Sequence, residues 1–288
     1  MRETLRAAEE TEKEEMVNND NTAYPPTAEG LLAVLRRLRA PGGCPWDREQ
    51  TRQTLSRCLA EECAELIEAI DLDDPAKIRE ELGDLLMNAL FQAVIAEEKG
   101  EFTLEDVWRE IVAKMIRRHA HVFGDASAKN SEEVLRLWQQ IKAREHDRDS
   151  SASALDGVPP EMSALCRAEK LQKKAAKVGF DWPDAAGALA KIAEEAGEVA
   201  DAARRGDEEA LDEELGDLLF AVANVSRLRK RATSEELLRG ANRKFERRFR
   251  FIEERLREEG KSPETVGLER LDELWNLAKQ SERCHHHA

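Results

Sequence analysis

The sequence predicts an all-α protein made of two copies of one helical unit. Three observations carry this expectation. Charged residues make up 36% of the chain and aromatics only 5%, a balance that suits helices better than sheet. Apolar residues recur at helical spacing, as in Leu31, Leu32, Val34, Leu35 and Leu38, which marks a one-sided stripe. An acidic pattern occurs twice, 133 positions apart and with no gap between its two halves, and such repetition points to repeated structure.

The chain divides readily. Residues 1–26 are polar and end in Tyr24-Pro25-Pro26, so a disordered leader is expected. An N-terminal domain follows over 27–142. After the first stripe comes the loop Pro41-Gly42-Gly43-Cys44-Pro45-Trp46-Asp47, and Asp47 or Thr51 caps the next helix. That helix carries Glu61, Glu62 and Glu65. Its successor starts at Pro75, suited to a first helical turn, and presents Leu82, Leu85, Leu86, Ala89, Leu90 and Val94 as a core face. Further helices run through Trp108–Met115 and Trp138–Lys142. Residues 143–158 lack apolar periodicity and read as a linker. The order then repeats over a C-terminal domain at 159–280, with the loop Gly179-Phe180-Asp181-Trp182-Pro183 before the second acidic helix. Residues 281–288 form a tail.

Both acidic stretches have the form E-E-x-x-E followed by E-x-x-D. The first comprises Glu61, Glu62 and Glu65, then Glu81 and Asp84; the second comprises Glu194, Glu195 and Glu198, then Glu214 and Asp217. Residues three and four apart share a helix face, so antiparallel packing of the two helices gathers four carboxylates. Like charges so placed raise one another's pKa unless a cation intervenes. Oxygen donors without His or Cys favour Mg²⁺, Mn²⁺ or Ca²⁺, and Mg²⁺ commonly joins carboxylates to substrate phosphates. The pattern therefore predicts a phosphate-bearing substrate attacked by water. Lys191 shares the acidic stripe, Asn224 lies seven residues beyond Asp217, and Lys174, Lys177, Lys244, Arg247, Arg248 and Lys279 supply further cations. Glu194 is the candidate base, and Trp275 a candidate for stacking on a nucleobase. A Glu-rich helix alone is usually a solvated face; the in-register duplication favours function. Gly83 and Gly216, each between the acids, predict a close helix approach, because glycine inside a helix costs about 1 kcal/mol against alanine.

The bulk numbers exclude some classes. A net charge of -15 opposes binding of a nucleic-acid polymer through its phosphates but not a small phosphorylated ligand with a divalent ion. Five cysteines without a C-x-x-C pair suit a reducing compartment, and no apolar run has the length of a membrane span. A cytoplasmic protein without a membrane partner is expected. Neither a Walker-type glycine loop nor a G-x-S-x-G elbow is present.

Several stretches together resemble the two-domain MazG nucleoside triphosphate pyrophosphohydrolases: Gly43-Cys44-Pro45-Trp46-Asp47 through Gln50-Thr51, both acidic pairs, Arg117-Arg118-His119-Ala120-His121-Val122-Phe123-Gly124-Asp125, Val178-Gly179-Phe180-Asp181-Trp182, Lys244-Phe245-Glu246-Arg247-Arg248-Phe249, and Trp275 with Lys279. They span about residues 27–280; Arg52 departs from the family's usual His. The resemblance implies tandem helical domains with four-helix-bundle-like cores, homodimerisation, and Mg²⁺-dependent hydrolysis of NTPs or dNTPs to monophosphate and pyrophosphate in nucleotide-pool housecleaning, with Mn²⁺ as a substitute ion. It implies Glu195, Glu198, Glu214 and Asp217 as metal ligands, with Glu62, Glu65, Glu81 and Asp84 as N-terminal counterparts.

The copies are unequal. Cys58 stands where the second copy has Lys191, and Phe91 where it has Asn224. The C-terminal site is therefore the expected catalytic one, with Lys191, Glu194 and Glu195 at its centre and Lys191, Asn224, Lys244, Arg247, Arg248, Trp275 and Lys279 toward the substrate. The alternative is a nucleotide-binding regulatory module with little turnover. A di-iron carboxylate bundle is disfavoured, because its Glu-x-x-His motif occurs only at Glu282–His285.

Overall fold

Local capping chemistry sets the helix boundaries in the computed structural model, which describes residues 24–146 and 153–285. In the first unit Thr27 caps α1 (Ala28–Arg39) by accepting from the Gly30 N–H. A short α2 (Pro45–Glu49) precedes α3 (Arg52–Asp71), which Thr51 caps in a reciprocal box with Thr54. Of the two caps expected, Thr51 is thus the one used. Asp74 caps α4 (Pro75–Glu98), with Pro75 in the first turn where a missing N–H costs nothing. Thr103 and Asp106 box the start of α5 (Leu104–Arg118), followed by α6 (Ala120–Phe123) and α7 (Ser131–His146).

The second unit repeats this order as α8 (Ala164–Lys177), α9 (Ala185–Arg205), α10 (Glu208–Arg229), α11 (Ser234–Glu258) and α12 (Leu268–His285), with a 3₁₀ turn at Pro263–Thr265 before α12. Gly206, at φ 67°, ends α9 in the left-handed conformation, and Asp207 caps α10 at once. That tight turn sends α10 back along α9. No strand occurs among the described residues. The chain falls into two compact units, divided between 148 and 149.

In unit 1 the core is Leu32 and Leu35 of α1, Leu55 of α3, Leu90, Phe91, Ala93, Val94 and Ile95 of α4, and Leu104 of α5. In unit 2 the α9–α10 seam is made of small residues, with Ala188, Ala202, Ala221 and Ala223 buried, while Ile252, Leu256 and Leu274 join α11 to α12. Small side chains let two helix axes approach closely, and the acids of these two helices gain from that closeness.

Two expectations need correction. Leu82, Leu86 and Ala89 do not face the core: they are exposed, and only Leu90 and Val94 of that series are buried. Leu215, Leu219 and Val222 are likewise exposed in unit 2. The face of α4 carrying them is continuous with the acids and points outward, because the far end of the helix alone reaches α1. Gly83 and Gly216 mark no close approach within the chain, since a Cβ on either would meet nothing within 4 Å. They lie on the same outward faces as the leucines.

Helices also run further than the sequence suggests. α7 continues to His146, into the segment read as linker, and α12 continues to His285, into the segment read as tail. Both extensions are rich in helix-compatible residues that need no apolar stripe. The expected leader through residue 23, the middle of the linker at 147–152 and the last three residues of the tail lie outside the described residues.

Candidate active site

The acids of the second unit converge as their spacing requires. Carboxylate oxygens of Glu195 on α9 and of Glu214 and Asp217 on α10 lie within 4.8 Å of one another. Glu195 is buried, only 4% exposed, whereas Glu214 is half-buried and Asp217 exposed. Glu198, the fourth expected ligand, stands beside this trio rather than in it. It hydrogen-bonds to Glu195, and that bond, burial and the nearby Glu214 push its carboxyl above the usual range.

Lys191 sets the charge state of Glu195, the buried member of the trio. Its Nζ donates to Glu195 Oε1 at 2.5 Å and to Glu194 Oε1 at 2.9 Å. The Lys191 hydrogen bond holds the Glu195 carboxyl below its ordinary value, against the effect of burial. The two carboxylates in turn raise the lysine further, so it stays charged throughout the physiological range. Glu194, the candidate base, is exposed and engaged with Lys191 rather than with the trio.

The first unit assembles the same acids without that cation. Glu62 on α3 with Glu81 and Asp84 on α4 place oxygens within 4.8 Å, all three half-buried. Here burial first, then Asp84, Glu65 and Glu61, push Glu62 up. Burial and the charge and hydrogen bond of Glu65 do the same to Glu81. Glu65 thus holds the accessory place that Glu198 holds in unit 2. The residue corresponding to Glu195 is held ionised in one unit and driven toward protonation in the other.

Of the basic residues expected to hold phosphates, Lys244, Arg247 and Arg248 lie on α11 and Lys279 on α12. Arg247 Nε and Arg248 Nε donate to the carboxylate of Glu282 at 2.8 and 2.9 Å. The Arg248 guanidinium also lies 5.3 Å from the centre of the Trp275 ring, which packs against Phe245. The first unit has the same pairing, Arg118 over Trp138 at 5.2 Å. Lys244 is exposed and Lys279 half-buried on these helices. Among the described residues no hydrogen bond or ion pair joins Lys244, Arg247, Arg248, Trp275 or Lys279 to the carboxylates. The structure therefore bonds Lys191 to the acids, places Asn224 further along α10, and pairs Arg247 and Arg248 with Glu282. Lys174 donates to the Asp156 carbonyl.

One group was missed by the sequence. Arg227, a turn beyond Asn224, donates to Asn224 Oδ1 from Nε at 3.0 Å and from Nη2 at 2.6 Å, and pairs with Asp181 of the loop before α9. The Arg227 hydrogen bond is the main cause of a lowered Asp181 carboxyl. The i, i+3 spacing of Asn224 and Arg227 was visible, but its link to a residue 46 positions earlier was not.

The MazG nucleotide pyrophosphohydrolase domain matches this chain twice, over residues 50–123 and 185–250. Each match contains one carboxylate trio. The nucleoside triphosphate pyrophosphohydrolase of Escherichia coli K12 is 44% identical over 88% of this chain and 97% of its own length. The nucleoside triphosphate pyrophosphohydrolase/pyrophosphatase MazG of Thermotoga maritima is 44% identical over 87% of this chain and 95% of its own. A solved structure, that of a mazG-related protein from Thermotoga maritima, is 33% identical over 40% of this chain and 97% of its own, with a TM-score of 0.35. With two domain matches and near-complete coverage of such relatives, this chain belongs to the MazG nucleotide pyrophosphohydrolase family.

Proposed function

We propose that the second unit hydrolyses nucleoside or deoxynucleoside triphosphates to the monophosphate and pyrophosphate, with Mg²⁺, or Mn²⁺ in its place. The observation that carries this reading is the Glu195–Glu214–Asp217 trio with Lys191 bonded to its buried member. The donor set fits a hard divalent ion: all oxygen, clustered, and without His or Cys. Glu195, Glu214 and Asp217 would hold it, with Glu198 alongside. When bound, the ion would offset phosphate charge and make water a better nucleophile. The chain's own residues prepare that site. Lys191 keeps Glu195 ionised and adds a positive charge next to where phosphate oxygens arrive. Glu194 shares that lysine, and as the neighbour of Glu195 in the chain it is the candidate base for the attacking water.

The outward faces support a homodimer as the working form. Leu82 and Leu86 of α4, Val112, Met115 and Ile116 of α5, and Leu215, Leu219 and Val222 of α10 are each at least 40% exposed, and patches of this kind mark interaction surfaces. Gly83 and Gly216 beside them would let a second backbone come close. The surrounding physiology we infer is cytoplasmic control of nucleotide pools, with neither nucleic-acid polymers nor membranes as partners; no helix among the described residues is long and apolar enough to cross a membrane.

A product assay across the NTPs and dNTPs, with and without Mg²⁺, tests the reaction. Pyrophosphate released only with the ion supports it; orthophosphate contradicts the bond assignment. Binding without any monophosphate would favour the regulatory reading, which the cation-free trio of unit 1 already suits for that unit.

A further inference from the structure

We propose that Arg227 is a positioning residue that presents Asn224 as a hydrogen-bond donor to the nucleoside part of the substrate. This rests on the reading of the α9–α10 site as a nucleoside triphosphate site. A guanidinium has only donors, so the oxygen of the Asn224 amide must face it, and both hydrogen bonds of Asn224 end on that Oδ1. Its Nδ2 enters no hydrogen bond among the described residues. The amide is left with donor capacity alone, and its ligand must be an acceptor.

Position says which part of a nucleotide that acceptor belongs to. Asn224 lies seven residues beyond Asp217, about 10 Å along the helix axis. On the antiparallel α9, Gly187 lies eight residues before Glu195, about 12 Å away. The Trp182 ring rests against Gly187: a Cβ there would come within 2.5 Å of Cε3 and 3.0 Å of Cζ3. The loop carrying Trp182 is fastened at Asp181 to Arg227, whose side chain is only 13% exposed. Asn224 and Trp182 therefore lie toward one end of the helix pair, one nucleotide-length from the carboxylates. Arg227 is neutralised by Asp181, and Asp181 also accepts the Trp182 N–H at 2.9 Å. An indole, an amide donor and a neutral ion pair suit a base or sugar oxygen rather than a phosphate, which calls for net positive charge.

Unit 1 lacks this device. Phe91 and Val94 take the places of Asn224 and Arg227, and both are core residues. Its loop is held instead by Arg39 of α1, which donates to the carbonyls of Asp47 and Gln50 and lies 5.7 Å over the Phe91 ring. The loop is anchored in both units, but only unit 2 couples the anchor to a polar side chain beside the site.

The decisive variant is Asn224→Asp in the full chain. It keeps an acceptor for Arg227, so the thermal midpoint should not fall, but it removes the NH₂ group. One lost donor to the substrate predicts KM for a dNTP rising about tenfold, with kcat and the Ki of inorganic tripolyphosphate changing less than about twofold. Arg227→Gln should raise KM similarly. An unchanged KM in Asn224→Asp overturns the proposal, as does an equal weakening of tripolyphosphate, which would move the contact to the phosphates. A loss of kcat and thermal midpoint in Arg227→Gln without a KM change would make Arg227 purely structural, which also overturns it. Failure of the underlying reading is separate, since wild-type protein would then release no pyrophosphate at all.

Discussion

One turn before the first acid of its trio, α9 carries Lys191 and α3 carries Cys58. That difference marks the electrostatic contrast between the two carboxylate clusters. With the lysine, the most buried acid, Glu195, is held ionised. Without it, Glu62 and Glu81 are pushed up by burial and by their own neighbours. Further along the partner helix, unit 2 keeps Asn224 and Arg227 polar and engaged with the loop before α9, whereas unit 1 uses the same positions to fill its core. In the proposed reading, clustered carboxylates alone do not make the site; the cation and the polar residues further along α10 complete it.

Among the positions at which the two units differ, the largest effect is expected at the lysine. Lys191→Met should lower kcat/KM for dNTP hydrolysis by about 10- to 100-fold, the scale seen when a partner of a metal ligand is removed. Cys58→Met in the first unit should leave pyrophosphate release unchanged. Equal effects would mean that the lysine does not separate the units.

A pH comparison sharpens the same point. Glu62 and Glu81 have raised carboxyls, so without metal the folded first unit binds protons above the ordinary value of 4.5. Their charge penalty is relieved as pH falls through the raised values, and protons there compete with any divalent ion. Glu195 is lowered, so its stabilising pair with Lys191 is present above 4.5 and lost only as pH falls below it. Manganese binding followed on Glu195→Ala, which leaves the first site intact, should weaken at a higher pH than binding on Glu62→Ala. Coincident profiles would remove the electrostatic distinction, and Glu198, which is raised in unit 2, is the residue that would narrow the gap.

Smaller still is the effect at Gly187. Adding a methyl there forces the Trp182 ring to move, and overpacking of this kind costs about 1–3 kcal/mol. Gly187→Ala should lower the thermal midpoint of unit 2 modestly and raise KM more than it lowers kcat. Gly216→Ala, with open space around its Cβ, should leave the stability of the isolated chain intact or slightly improved.

Much of this was legible in the sequence. Helices were visible because apolar spacing, the capping residue Thr51 and the first-turn Pro75 agree with each other. The acidic clusters were visible because i, i+3 spacing places Glu195 with Glu198 and Glu214 with Asp217; that Glu198 stands beside the other three was not. The inequality of the copies was visible at Cys58 and Phe91. What was not legible is which apolar residues face outward. Leu82 and Leu86 have the same periodicity as Leu90, yet only Leu90 joins the core with Leu32, Leu35, Leu55 and Leu104. The Asp181–Arg227 pair was hidden for a similar reason, because it depends on where a loop crosses a helix. The partners of the α11 arginines were hidden as well, since Arg247 and Arg248 pair with Glu282 of α12.

The measurement that bears most directly on the division of labour is pyrophosphate release by Glu195→Ala and Glu62→Ala, assayed side by side in the full-length protein with Mg²⁺ and dNTPs. If Glu195 holds the ion as proposed, its removal forfeits several kcal/mol of charge stabilisation, so Glu195→Ala should lose about 100-fold or more. Glu62→Ala should retain most of its activity. Equal losses in the two variants, or full activity in Glu195→Ala, would contradict the assignment of hydrolysis to the second unit.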